Sequence, residues 1–335
     1  MKKVLKILLP LLIIAAGFTA GILIYRNTGI KDMVDKNRAE ENESDVIATI
    51  GKKTLTIQEA RVYLTSVKNQ TEAIYGSEVW DYRPKDTDGD YKSMVKESML
   101  QKIKYIKVVC EHAHEYAVTL TPEDMAEVSA YVSDFFAGIT ESTANEYGLN
   151  SELLTKIYGE NILAGKVYSK ITLNHNSSAN EENCRQAGFL CMCFKKYSMD
   201  EQNNPVYYET AALEEIKKKA EAAYNAAKTG SFQSAASVYC PEEEIEVTMG
   251  TDSLPSEIAD TVMALKQGEV SSLLETRDAY YIFKCTKYKD DDATKAAVQK
   301  KTNQEREEYF KEIYDYWYNN TDISIDMEKW ESVDF

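Results

Sequence analysis

The chain has 335 residues, 44% of them hydrophobic and 28% charged, and a formal net charge of −16. That length allows two ordinary domains with real cores, and the composition is globular rather than disordered. A nucleic-acid partner is excluded by the acidic balance, since phosphate binding needs a basic face; the excess charge reads as solvation of the surface.

The N-terminus is a separate object. Lys2, Lys3 and Lys6 precede ILLPLLIIAAGFTAGILIY, a run of 19 uncharged residues from Ile7 to Tyr25. At about 1.5 Å per residue this nearly spans a hydrocarbon core of about 30 Å. The lysines predict a cytoplasmic N-terminus, with everything after Arg26 outside the cell membrane. No A-x-A cleavage pattern follows, and no nearby cysteine could take a lipid. Residues 1–26 therefore read as a single-pass transmembrane anchor in preference to a cleaved signal peptide. Removing its four positive charges from −16 leaves −20 on the exported part. Residues 27–45 are a polar spacer.

Residues 46–180 begin with VIATI as a strand and GKK as a turn. Thr56, with Glu59 three residues later, predicts a capping box, followed by a helix with Ile57, Ala60, Val62, Leu64 and Val67 as apolar positions. Trp80 to Asp90 reads as loop. Residues 91–117 read as one long helix, with Met94, Met99, Ile103, Ile106 and Cys110 near one face. Thr121 and Pro122 open another helix, and Ser151 caps a further one at SELLTKIYGENILAGKVYSKI.

The polar segment ITLNHNSSANEENCRQ is the best linker in the chain. After it come a strand, AGFLCMCFKKY; a helix, ALEEIKKKAEAAYNAAKTG; a short helix, FQSAASVY; and a third, SEIADTVMALKQG, closed by Gly268. AYYIFKC alternates as the last strand of this part. A charged helix then runs from Ala293 to about Tyr318, and DISIDMEKW alternates as a strand. VIATI and ISIDM are each without a neighbour in sequence, and their unpaired backbone groups predict that they pair with one another.

Cys110, Cys184, Cys191, Cys193, Cys240 and Cys285 are too few for a disulfide framework in so long a chain, and no CxxC motif occurs. Asp86, Asp88, Asp90 and Glu97 fall at calcium-loop spacing, but Tyr91 occupies the glycine position, so a solvated loop is expected. Cys110, His112 and His114 lack metal-ligand spacing on a helix. The tyrosines and Trp317 of EEYFKEIYDYWYNN read as a packing seam, with Trp317 a candidate contact for unfolded clients.

LKQGEVSSLLETRDAYYIFK resembles the closing segment of the parvulin family of peptidyl-prolyl isomerases, in which a Gly–Glu–Val–Ser turn precedes the last strand. FKKY with the Lys/Ala/Glu-rich helix and TGSFQSAASVY resembles that family's opening half. VIATIGKKTLTIQEARVYL resembles the first strand and helix of PrsA-type foldases and SurA-type chaperones, where a helical domain is split around a parvulin domain. The resemblance covers roughly residues 46–330. It implies an α+β fold with a mostly helical chaperone domain split into 46–180 and 290–335. The parvulin-like domain, 187–288, would have a small antiparallel sheet.

It also implies a site, and no cofactor. The parvulin pattern uses a histidine on the first strand, one on the last strand, a Cys or Asp after the second helix, and a Met/Phe pocket. The corresponding positions are Cys191, Tyr281 and Cys240 (or Glu242), with Leu254, Ile258 and Met263 as the pocket. With thiols and a phenol in place of imidazoles, the expected activity is weak or lost. The implied function is anchored folding assistance to unfolded or nascent secreted polypeptides. An active isomerase with a substituted site, and a scaffold for one folded partner, are the other readings.

Overall fold

The computed structural model describes residues 45–83, 90–201, 203–241 and 243–334. The candidate anchor, nearly all of the spacer, and Asp86 and Asp88 of the acidic loop lie outside these residues. Among the described residues, no helix is long and apolar enough to cross a membrane. The chain is mostly helical with small antiparallel sheets, and divides into two compact units. Unit 1 comprises residues up to His175 together with Glu308 onward; unit 2 is Asn176–Glu307.

Unit 1 opens with β1 (Val46–Ile50) and β2 (Lys53–Thr56), an antiparallel hairpin whose second strand the sequence pattern did not separate from the turn. Gly51 holds φ +56 at the first loop position, a left-handed conformation that favours glycine. Thr56 caps α1 (Ile57–Tyr75) by accepting from the Glu59 N–H at 3.2 Å. The box is left half-made because the Glu59 carboxylate turns inward to Lys107 at 2.5 Å. α2 (Tyr91–Glu111) is capped by Asp90 and stops short of the expected end; a 3-10 turn, Ala113–Tyr116, follows and closes on left-handed Ala117. Met94, expected inward, is exposed, whereas Lys96, Lys102, Lys104 and Lys107 are buried. Burial brings the pKa of the Lys102 amine down to about 8. α3 (Pro122–Ala137) has the full capping box of Thr121 and Asp124. α4 (Glu141–Glu146) is a short addition, and α5 (Ser151–Thr172) is capped by Asn150 rather than Ser151.

Unit 2 contains β3 (Ala187–Lys195), a small hairpin of β4 (Tyr197–Met199) and β5 (Pro205–Tyr207), α6 (Thr210–Thr229) and α7 (Phe232–Tyr239). β6 (Glu246–Met249), α8 (Ser256–Met263), β7 (Leu274–Glu275) and β8 (Ala279–Lys287) complete it. The strand order is β6-β3-β8-β7, all antiparallel. Alternation along β3 and β8 sorts side chains onto two faces. Leu190, Met192, Phe194, Tyr280 and Ile282 pack on α6 and α7, where Ala220, Ala223 and Ala227 permit close approach. Phe189, Phe283 and Cys285 pack on α8. α8 ends before Gly268, which instead serves the following turn at φ +87 and donates to the Cys285 carbonyl at 2.7 Å.

α9 (Asp291–Asn320) contributes its first part to unit 2 and its last part to unit 1. In unit 2, Glu305 accepts from the Ser177 hydroxyl at 2.6 Å and from the Ser178 N–H at 2.8 Å. These serine hydrogen bonds bring its carboxyl down to about 2. A depressed carboxylate stabilises above its unfolded value of about 4.3 and loses that contribution as pH falls towards the folded value. The protection of the Ser178 amide, relative to its intrinsic exchange rate, should therefore fall between about pH 4 and pH 2, and unchanged protection there would contradict the assignment.

In unit 1, β9 (Ile323–Ile325) pairs antiparallel with β1, with Ala48 opposite Ile325 and Ile50 opposite Ile323. The rest of the expected strand is helix: Asp326 caps α10 (Met327–Ser332), which sinks Trp330 into the core. Trp317 is only 4% exposed, stacked on His112 at 4.5 Å and edge-on to Phe310 and Tyr116. It is a packing residue, not a free surface for clients. His112 Nδ1 meets Glu115 at 2.7 Å, and His114 Nδ1 meets the Glu111 carbonyl at 2.9 Å, so both serve the end of α2.

Candidate functional site

β3 and β8 bring the expected first-strand and last-strand positions onto one face of the sheet. Their register sets Cys191 opposite Phe283 and Cys193 opposite Tyr281. The Tyr281 side chain lies beside the Cys193 thiol, its direct partner across the ladder, rather than beside Cys191. Cys193 is thus the partner that the sequence reading missed. The alternation in CMCF already places both cysteines on the same face, and only the strand pairing decides which meets Tyr281. Tyr281 also stacks on Phe283 at 5.9 Å and 17°.

Cys240 follows α7 and belongs to the core on the opposite face, yet its thiol lies against the Cys193 backbone at the strand edge. The structure therefore gathers Cys191, Cys193, Cys240 and Tyr281 into one neighbourhood. Glu242 lies outside the described residues, while Glu243 borders the cluster. Leu254, Ile258 and Met263 are all brought beneath the same sheet face, where they are buried against Phe189 and Phe283 as core. The Arg185 guanidinium ties this layer down by donating to the Met263 carbonyl and to the Tyr288 carbonyl.

The electrostatics are those of a neutral site. Burial pushes the Cys193 thiol up to about 11, helped by Glu243 and opposed by Tyr281 and then Lys195. Burial also raises Cys191, with Cys193 and Cys240 acting the same way, and raises Cys240, with Glu243 next. The Tyr281 phenol is raised by burial and then by Cys193. At neutral pH these groups are protonated, so no thiolate nucleophile is present. All six cysteines are free thiols, and among the described residues no three His, Cys, Asp or Glu side chains converge to hold a metal ion.

Beside this cluster lies an open cleft of about 370 Å³. Cys193, Phe194 and Lys195 of β3 form one wall and Ile216 and Lys219 of α6 another, with Tyr208 and Tyr239 also lining it. It does not include Leu254, Ile258 or Met263.

Residues 204–312 match the family model described as the PPIC-type PPIase domain. This segment is similar to domains of that class. The match contains Cys240, Leu254, Ile258, Met263 and Tyr281 and begins after Cys191 and Cys193. No curated protein sequence matches the chain. Among solved structures, the chain is similar to the foldase PrsA from Lactococcus lactis, with 15% identity, 86% of this chain and 97% of that chain covered, and a TM-score of 0.33. PrsA from Bacillus cereus is 15% identical, with 77% and 100% covered and a TM-score of 0.35. A SurA-like chaperone structure from Campylobacter jejuni is 10% identical, with 84% and 98% covered and a TM-score of 0.29.

Proposed function

We propose that the chain is a membrane-anchored, extracytoplasmic folding chaperone for unfolded or nascent secreted polypeptides. Residues 46–180 and 290–335 form its chaperone domain, and 187–288 form a parvulin-like domain whose isomerase activity is weak or lost. The observation that carries the last point is the Cys193–Tyr281 pair. Prolyl rotation faces a barrier of about 18–20 kcal/mol and needs no nucleophile, only tighter binding of the twisted amide than of the planar one. Here the groups facing that position are neutral thiols and a phenol, and the pocket side chains are engaged in the core.

The PPIC-type match supports a second reading, an active isomerase with a substituted site. A protease-coupled proline isomerisation assay run beside an aggregation-suppression assay separates the two. Suppression without isomerisation is expected; rapid isomerisation would favour the second reading. Restoring the imidazoles alone should not rescue catalysis. The double variant Cys191→His, Tyr281→His should remain within about tenfold of the starting chain, because the buried layer of Ile258 and Met263 offers no open wall to a proline ring. Rates typical of an active parvulin in that variant would overturn the reading of a degenerate site.

A further inference from the structure

The open edge of β3 carries backbone groups aimed into the cleft. The Lys196 N–H donates to the Asp278 carbonyl at 2.8 Å, and the Cys191 N–H donates to the Ile245 carbonyl at 2.7 Å. In an antiparallel ladder successive residues alternate sides, so Cys191, Cys193 and Lys195 all turn their backbone groups away from β8. β6 covers this side only as far as Leu190, opposite Glu246, with Ile245 serving Cys191. Beyond that point the Cys193 backbone faces the Cys240 thiol. The Cys193 carbonyl and the Lys195 N–H and carbonyl face the cleft, with no ladder partner on that side among the described residues.

The geometry points to a peptide-binding slot in unit 2, in which an extended segment of another polypeptide adds as a strand to β3 between Cys193 and Lys195. This deepens the chaperone reading and rests on it for the occupant, an unfolded chain. Three features select that occupant. The exposed pattern of carbonyl, N–H and carbonyl is met by backbone and needs no particular sequence, which suits varied clients. The incoming strand would continue the β6 side of the existing ladder, so the pairing interface is already half built. Ile216, Tyr208 and Tyr239 line the cleft for alternate apolar side chains, and its volume of about 370 Å³ lies within the range of ligand clefts. The rim charges are balanced, Lys195 and Lys219 against Glu215 and Glu243, so they complement a segment of mixed charge.

The slot is tested in the full chain with a fluorescent heptapeptide of alternating apolar and polar residues, and with the same peptide N-methylated at alternate amides. Lys195→Pro removes the outward N–H without breaking a bond to β8, and Lys195→Ala keeps that N–H. By fluorescence polarisation, Lys195→Pro and N-methylation should each weaken binding by about tenfold, and Lys195→Ala by less than about twofold. Because the N-methylated peptide is tested on the unaltered chain, the result does not depend on the proline variant folding. Equal binding of the two peptides, equal loss in Lys195→Ala and Lys195→Pro, or no binding of the heptapeptide overturns the slot. A chain that suppresses aggregation but does not discriminate the peptides overturns the slot alone. A chain that discriminates them yet suppresses nothing upholds the slot and overturns the chaperone reading.

Discussion

Lys107→Met should unfold unit 1 at a markedly lower temperature while leaving the unit 2 transition in place. Lys107 is fully buried and bonds Glu59 at 2.5 Å and Glu160 at 2.6 Å. Lys156 approaches Glu59 at 3.5 Å, and Lys53 approaches Glu160 at 3.2 Å. Burial pushes Glu59 above the usual carboxylate range despite these lysines. Burial pushes Glu160 up as well, but Lys107 and Lys53 outweigh it and hold that carboxyl below the range. Removing the central cation leaves two buried carboxylates facing one another, and breaking such a pair costs about 3–5 kcal/mol. That is a large share of the 5–15 kcal/mol that typically separates folded from unfolded domains.

The pH dependence has a definite sign. Without Lys107, burial and the facing carboxylates push both groups upward against the remaining Lys53 and Lys156, so the deficit should be largest at neutral pH and shrink as pH falls towards about 5. Adding Glu59→Gln and Glu160→Gln to Lys107→Met should recover most of the loss, because the two buried charges that faced Lys107 are then gone. Calorimetry at pH 7 and pH 5 reads both effects. A deficit below about 1 kcal/mol at pH 7 would show that the cluster is hydrated and not buried.

A chain ending at Glu307 should lose unit 1 and keep unit 2. The removed segment supplies β9, the buried Phe310 and Trp317 of α9, and the buried Trp330 and Val333. Loss of one buried tryptophan side chain costs about 3–5 kcal/mol, and here β1 also loses a ladder partner. The part of α9 that serves unit 2 remains, including buried Thr294, which accepts from the Gln186 N–H at 3.0 Å. Limited proteolysis and calorimetry should show early cleavage of residues 46–175 and an unshifted unit 2 transition. An N-terminal part that melts as in the full chain would refute the proposed split domain.

Several features were legible because they are local. The Thr121 cap with Pro122 at the first helical position starts a helix wherever its surroundings allow it, and the structure has both, with Asp124 completing a capping box. The alternation in AGFLCMCFK and AYYIFKC depends only on strand geometry, and both are strands. The pairing of VIATI with ISI followed from unsatisfied backbone, a local deficit with a distant remedy. Other readings failed where a distant partner intervened. Glu59 left its capping box for a buried lysine, and DISIDMEKW gave up half its alternation when Asp326 capped a helix that buries Trp330.

The sequence by itself determined the order of strands and helices, because this rests on propensity, periodicity and chain order, and its resemblance to the parvulin pattern supplied the candidate site positions. Only the tertiary structure decided that Cys193 rather than Cys191 meets Tyr281, that four lysines of α2 are buried, and that the β3 edge stays open beyond β6. Register shifts of one or two residues leave a strand's own sequence unchanged, and a buried charge is tolerated only when its counter-charge arrives from another element. Neither is written in any local stretch of the chain.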